Sequence, residues 1–332
     1  MELQDWFRKM FNFTQHTVFR KTTILLLVLL SLICGSCKRD PPLPVPYNNK
    51  QKLVIVLIDG PRWEETWGDS THQYQPYLRD SLQKEGCVFT NFYNNGITLT
   101  VPGHTALLTG HYQNIANGGT EYPMFPSLGQ LFLERNKKSS DYSWLVTTKD
   151  KLEVLKSCTH PDWKDKYTPE TDCGINGLGS GYRDDSTTFA HACSVIQNQH
   201  PDFLFIQFKE PDASGHANNW PGYLNGIKQG DKYAWQIWNL LQSSDYYKGK
   251  TIFAITNDHG RHTNGVLDGF VSHGDTCIGC RHINLFMTGP GIKKNQLIST
   301  PYEQIDLHRT MCEKFQLNGQ FSDGKIISDA FN

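Results

Sequence analysis

Leu53-Val54-Ile55-Val56-Leu57-Ile58-Asp59-Gly60 sets six apolar residues without polar alternation against an acid and a glycine. Such a run reads as a strand buried on both faces, the kind found in a parallel sheet covered by helices. Residues 88–92, 144–147, 203–208, 252–256 and 283–287 read the same way. Helical patterns fall between them at 77–85, 104–109, 128–136, 187–197, 223–242 and 302–315. This alternation predicts an α/β fold of three layers, α/β/α, with a mainly parallel central sheet. No repeat or low-complexity block interrupts residues 50–332, so 51–332 is expected to be one domain.

The chain has 332 residues, 38% of them hydrophobic and 20% charged, which excludes a disordered or low-complexity protein. Net charge is -1, so no global basic excess points to nucleic acid, and no nucleic-acid-binding patch is evident. Any anion specificity must come from a local site.

The first 36 residues read as a signal peptide. Arg8, Lys9, Arg20 and Lys21 precede an apolar stretch at 24–34, too short to span a bilayer and of the length of a signal h-region. Cys34-Gly35-Ser36-Cys37 resembles a bacterial lipoprotein signal with Cys37 lipidated, although Cys34 stands where Leu is usual. Residues 37–50, rich in Pro, then form a tether. The expected protein is exported, periplasmic or at the cell surface, and attached to the membrane through its N-terminal lipid. Seven cysteines remain beyond Cys37, an odd number. Cys277-x-x-Cys280 could be a zinc half-site, a redox pair or a short disulfide, and the disulfide is favoured.

The residues that follow the strands carry the chemistry. Residues 53–58 lead into Asp59, residues 203–208 into Asp212 and His216, and residues 252–256 into Asp258 and His259. Residues 144–147 lead into Lys149 and Lys151. Ligands of open parallel sheets bind at the carboxyl ends of strands. Asp and Gly end strands for turn reasons alone, but four such endings with two Asp/His pairs are better explained by a site. With His273, the set mixes carboxylate and imidazole and suits Zn²⁺ or a similar divalent ion. His262 and His282 are read as non-ligating.

The candidate nucleophile lies in Thr100-Val101-Pro102-Gly103-His104. Pro102 and Gly103 suit a helix entry, which would place Thr100 just before its N-terminus. There the helix dipole and free N–H groups favour an alkoxide or phosphate. Threonine is a weak nucleophile and needs a metal to ionise near neutral pH, whereas an ordinary N-cap would need nothing further.

These segments, with Leu108-Thr109-Gly110, Asp212-Ala213-Ser214-Gly215-His216, Asp258-His259-Gly260 and Ser272-His273-Gly274, resemble the alkaline phosphatase superfamily. The likeness is to its nucleotide pyrophosphatase/phosphodiesterase and threonine-nucleophile phosphatase branch, in the family's own order. It implies two divalent metal ions, expected to be Zn²⁺. One would be held by Asp212, His216 and His273, the other by Asp59, Asp258, His259 and the Thr100 oxygen. The implied activity is hydrolysis of a small phosphorylated substrate through a phospho-threonine.

Lys149 and Lys151, two apart on a segment read as extended, would face one anion. A similar Lys-Asp-Lys stretch recurs in the superfamily's threonine phosphomonoesterases and phosphonoacetate hydrolases. Two extra cations favour a dianionic monoester over a diester. Phosphodiesterase or nucleotide pyrophosphatase, C–P hydrolase and phosphotransferase activities are the alternatives, and a non-catalytic metal-binding surface lipoprotein is the alternative from another class. The asparagine that usually contacts the phosphoryl oxygen has candidates in Asn117 and Thr120, with Asn117 preferred because its amide can donate. The formylglycine sulfatase signature is missing, since His104 replaces its Arg.

Overall fold

The computed structural model describes residues 50–332. The signal segment, Cys37 and nearly all of the tether lie outside the described residues. Nine strands form one sheet: β1 (Lys52–Ile58), β2 (Gly86–Tyr93), β3 (Ser143–Thr147), β4 (Glu170–Cys173), β5 (Phe203–Phe208), β6 (Thr251–Thr256), β7 (His282–Thr288), β8 (Gln296–Ile298) and β9 (Tyr302–Glu303). The order is β4-β3-β5-β1-β6-β7-β2-β8, with β9 also on β2. All pairings are parallel except those of β7 with β6 and β2.

The helices are α1 (Thr100–Thr109), α2 (Leu128–Asn136), α3 (Asp185–Asn198), α4 (Asp212–His216), α5 (Trp220–Ser243), α6 (Ile278–Arg281) and α7 (Gln304–Phe315). Successive residues of a strand point to opposite faces. Leu53, Ile55 and Leu57 therefore join one core with Leu107 of α1, Leu131 of α2 and Met311 of α7. Val54, Val56 and Ile58 join a second with Val195 of α3 and Ala234 and Ile237 of α5. Two cores on two faces make the expected three layers, and they account for the unbroken apolar run of β1.

Strands β4, β8 and β9 escape the sequence reading because they are two to four residues long and partly solvated. Residues 77–85 form two short irregular helical turns in place of one helix. The disulfide expectation is corrected: all seven described cysteines, including Cys277 and Cys280, are free. The Cys280 backbone N–H instead points at the Cys277 Sγ, 3.4 Å away.

Candidate metal centre and nucleophile

The sheet register sets the level of the site. Gln207 pairs with both Leu57 and Thr147, and Leu57 pairs with Thr256, so four neighbouring strands leave the sheet at one height. Asp59, Lys149, Asp212 and Asp258 follow within a few residues. Because β7 runs antiparallel, the segment leading into it arrives at the same edge and brings His273.

Asp212, His216 and His273 converge. His273 Nε2 lies 3.3 Å from Asp212 Oδ1, as does His216 Nε2, and the two imidazole nitrogens are 3.0 Å apart. His273 donates from Nδ1 to the Thr98 carbonyl at 2.7 Å, which leaves the Nε2 lone pair for a cation. Asp59, Asp258 and His259 form a neighbouring group. His259 Nε2 is 3.2 Å from Asp258 Oδ2 and 3.6 Å from Asp59 Oδ1. Its Nδ1 donates to the Gly260 carbonyl at 2.9 Å, and burial brings the ring's pKa down to about 3, so it is neutral at pH 7. A neutral imidazole with a free Nε2 is the form that ligates metal.

Thr100 is buried and occupies the first position of α1, with Leu99 as N-cap. This corrects the expectation that Thr100 would stand before the helix. The expected free N–H groups are also fewer, since Asn117 Oδ1 accepts from the Val101 N–H at 2.8 Å and Pro102 has none. Asn117 thus sits against the start of α1 beside Thr100, with its Nδ2 as the remaining donor.

Lys149 and Lys151 do not project side by side from an extended segment. Lys149 is extended, but residues 150–156 turn into a 3₁₀ helix. Lys149 Nζ donates to Thr100 Oγ1 at 3.2 Å and to Asp212 Oδ2 at 2.7 Å, and lies 2.9 Å from Asp59 Oδ2. Burial opposes its charge, but Asp212, Asp59 and Asp258 outweigh this and hold the ammonium above its ordinary range. Lys151 Nζ reaches Asn117 Oδ1 at 3.4 Å. Lys151 lines a cavity of about 600 Å³ together with Asn117, Thr120 and Tyr182.

Three partners escaped the sequence reading. His104 is fully buried, with Nδ1 2.8 Å from the Thr100 carbonyl and 3.3 Å from Asp258 Oδ2. Arg261 pairs through Nη1 with Asp212 Oδ1 and donates from Nη2 to the Val271 carbonyl at 2.6 Å, tying the His273 loop to Asp212. Gln207 donates to Asp59 Oδ2 at 2.9 Å. His104 was visible as the histidine one turn after Thr100; Arg261 and Gln207 gave no signal beyond proximity to the motifs.

Burial and the Asp258 charge push Asp59 well up from the usual carboxylate range. Burial would also raise Asp258, but His259, His104 and Lys149 hold it low. Asp59 Oδ1, Asp258 Oδ2, His104 Nε2 and His259 Nε2 are buried without a hydrogen-bond partner. Buried acceptors left unmade are costly, and three aspartates here face one lysine and one arginine. The donor set is that of a divalent cation site, and the orphaned atoms are the ones a cation would satisfy.

Gly103 allows this packing. A Cβ there would lie 2.8 Å from the Asp258 carbonyl oxygen and 3.0 Å from its Cβ. Gly103→Ala is expected to push Asp258 out of line, destabilising the fold by about 1–3 kcal/mol and weakening any divalent-cation binding at this centre at least about tenfold. Urea denaturation and titration with divalent cations check this, and unchanged cation affinity would contradict the tight approach.

A mainly parallel sheet flanked by helices, whose carboxyl edge gathers aspartates and histidines around a threonine at a helix start, is an alkaline phosphatase-like fold. Within it, the sequence pattern of the Sulfatase family matches residues 51–316, and the chain belongs to that family. GPI ethanolamine phosphate transferase 1 of Homo sapiens is 25% identical over 310 residues, covering 88% of this chain but only 31% of the transferase. Among solved structures, a Vibrio parahaemolyticus protein in the alkaline phosphatase superfamily superposes with TM-score 0.65 at 16% identity, covering 88% of this chain and 73% of that one. Inactive murine ectonucleotide pyrophosphatase/phosphodiesterase 5 in complex with AMP superposes with TM-score 0.60 at 15% identity, over 85% of this chain and 100% of that one. The superfamily's enzymes transfer phosphoryl groups and are mostly hydrolases.

Proposed function

We propose that the protein hydrolyses phosphoric esters with Thr100 as nucleophile, monoesters preferred over diesters. The observation that carries this reading is the Lys149 ammonium 3.2 Å from Thr100 Oγ1, between the two carboxylate-imidazole groups. A charged donor on the hydroxyl oxygen stabilises the alkoxide. Asp212, His216 and His273 would hold one divalent ion, proposed to be Zn²⁺, and Asp59, Asp258, His259 and Thr100 a second. Such ions, when bound, supply Lewis-acid stabilisation of the attacking and leaving oxygens.

Thr100 Oγ1 attacks phosphorus in line, the ester P–O bond breaks, and the alcohol leaves with its proton. Water then attacks phospho-threonine on the face the alcohol left, releasing inorganic phosphate and restoring the hydroxyl. Two inversions give retention at phosphorus. Asn117 Nδ2 and the Lys151 ammonium border the cavity where the substrate's remaining oxygens would sit.

The test compares release of p-nitrophenol from its phosphate monoester and from the bis-ester with zinc-loaded protein. Lys151 is the informative position, since Lys149 also neutralises ligands. Lys151→Ala is expected to lower kcat/KM for the monoester by about 10- to 100-fold, the range of one charge-assisted hydrogen bond, with the diester changed less than about threefold. Equal losses on both substrates would remove Lys151 from the monoester preference. Passage of the phosphoryl group from Thr100 to an alcohol is the second reading, favoured by the transferase relative; added ethanolamine that diverts product from inorganic phosphate to phosphoethanolamine would select it.

A further inference from the structure

A second cluster of ligand-type side chains lies in the segment that runs from the His259 turn to β7. His262, Asp275, Cys277 and Cys280 each offer one donor atom, and these atoms all lie within 4.8 Å of one another. His262 Nε2 is 3.2 Å from Asp275 Oδ2. That matches the ~3.3 Å edge of a tetrahedron of nitrogen and oxygen ligands about zinc. On the other side of its ring, His262 Nδ1 is 2.9 Å from Asp268 Oδ1, an outer carboxylate that holds the Nδ1 proton and turns Nε2 into a ligand. Asp275 is oriented as well, because its Oδ1 accepts from the Cys277 N–H at 2.9 Å.

The cysteines have the arrangement of one arm of a thiolate zinc site. Cys277 caps α6, and the Cys280 N–H is directed at its sulfur. Gly279 between them admits a close pass of the chain: a Cβ there would lie 2.4 Å from the Arg261 carbonyl oxygen. This contact seats the Cys-x-x-Cys turn beside His262. From sequence His262 reads as a non-ligand because it lacks a motif, and only the returning loop brings it beside Cys277.

We propose that His262, Asp275, Cys277 and Cys280 form a structural zinc site distinct from the Asp/His centre. Two thiolates with imidazole and carboxylate select zinc over magnesium or calcium. His262 follows the ligand His259 by three residues and Asp275 follows the ligand His273 by two, so an ion here pins both ligand-bearing loops to each other and to the start of β7. Loss of the ion would loosen His273 without removing any donor of the catalytic centre.

Cobalt titration of the reduced, metal-stripped full chain tests this apart from activity. The proposed Asp/His centre contains no sulfur, so a thiolate-to-cobalt charge-transfer band at about one equivalent per chain reports this cluster alone. The band is expected in wild type and in Thr100→Ala, to be displaced by zinc, and to be absent in Cys277→Ser/Cys280→Ser, whose zinc content should fall by about one ion per chain. His262→Ala should shift the band. No such band in reduced wild type would overturn the proposal, as would zinc-free protein isolated with Cys277 and Cys280 joined in a disulfide. Catalytic failure with an intact band counts against the proposed hydrolysis and leaves this site standing.

Discussion

Thr100→Ala is expected to lower kcat for p-nitrophenyl phosphate by at least about 10⁴-fold, the scale on which enzymes lose rate when a nucleophile is removed. The fold gives reason to read such a loss as chemical. Thr100 is the first residue of α1, and Leu99 is the N-cap, so no side-chain cap is lost with the hydroxyl. The methyl group of alanine fits where threonine stood, and the stability change should stay near 1 kcal/mol. Zinc content would reveal a collapsed centre, because Asp59, Asp258 and His259 still offer their donors; it should fall little. Thr100→Ser keeps the hydroxyl beside the Lys149 ammonium and is expected to retain turnover within about 100-fold of wild type. Single-turnover experiments with ³²P-labelled monoester should leave label on the chain in wild type at early times and none in Thr100→Ala. Alanine protein that keeps more than a few per cent of the rate would mean that water attacks the substrate directly.

The contrast between what the residues announced and what they concealed follows from how far each group reaches along the chain. Asp59, Asp212 and Asp258 were legible because each follows a fully buried strand within four residues, and an acid so placed sits near the carboxyl edge. His273 was legible only through its motif, since it comes from the segment entering an antiparallel strand that apolar periodicity cannot orient. The lysines show the opposite error. Their spacing fitted a strand, but the 3₁₀ turn at Asp150 separates them, sending one ammonium into the carboxylates and the other to Asn117. Arg261 was hidden for a different reason: its role depends on a loop closure that brings Val271 and Asp212 to one guanidinium. The strands β4, β8 and β9 failed because edge strands need little apolar surface to pair.

Metal removal and Asp59→Asn should act with opposite signs on stability, which makes them the sharpest test of the cation centre. Zinc that binds the folded chain and not the unfolded one stabilises it by about 4 kcal/mol at a thousand times its dissociation constant. Chelation is therefore expected to lower the urea midpoint of wild type and to abolish turnover, with both restored by about two equivalents of zinc. In metal-free protein Asp59 is a liability: it is buried, its Oδ1 has no partner, and Asp258 repels it. Its raised folded-state pKa means that the metal-free fold binds a proton there more tightly than the unfolded chain does. Its stability is complete below the ordinary carboxylate pKa and declines as pH rises above it. Asn at position 59 retains an oxygen for the Gln207 amide and the Lys149 ammonium while removing the buried charge. Metal-free Asp59→Asn should accordingly be as stable as metal-free wild type or more so at pH 8, yet gain far less from added zinc and show at least about 100-fold lower kcat/KM. Equal zinc stabilisation of the two proteins would mean that Asp59 holds no ion, and the second metal position would have to be abandoned.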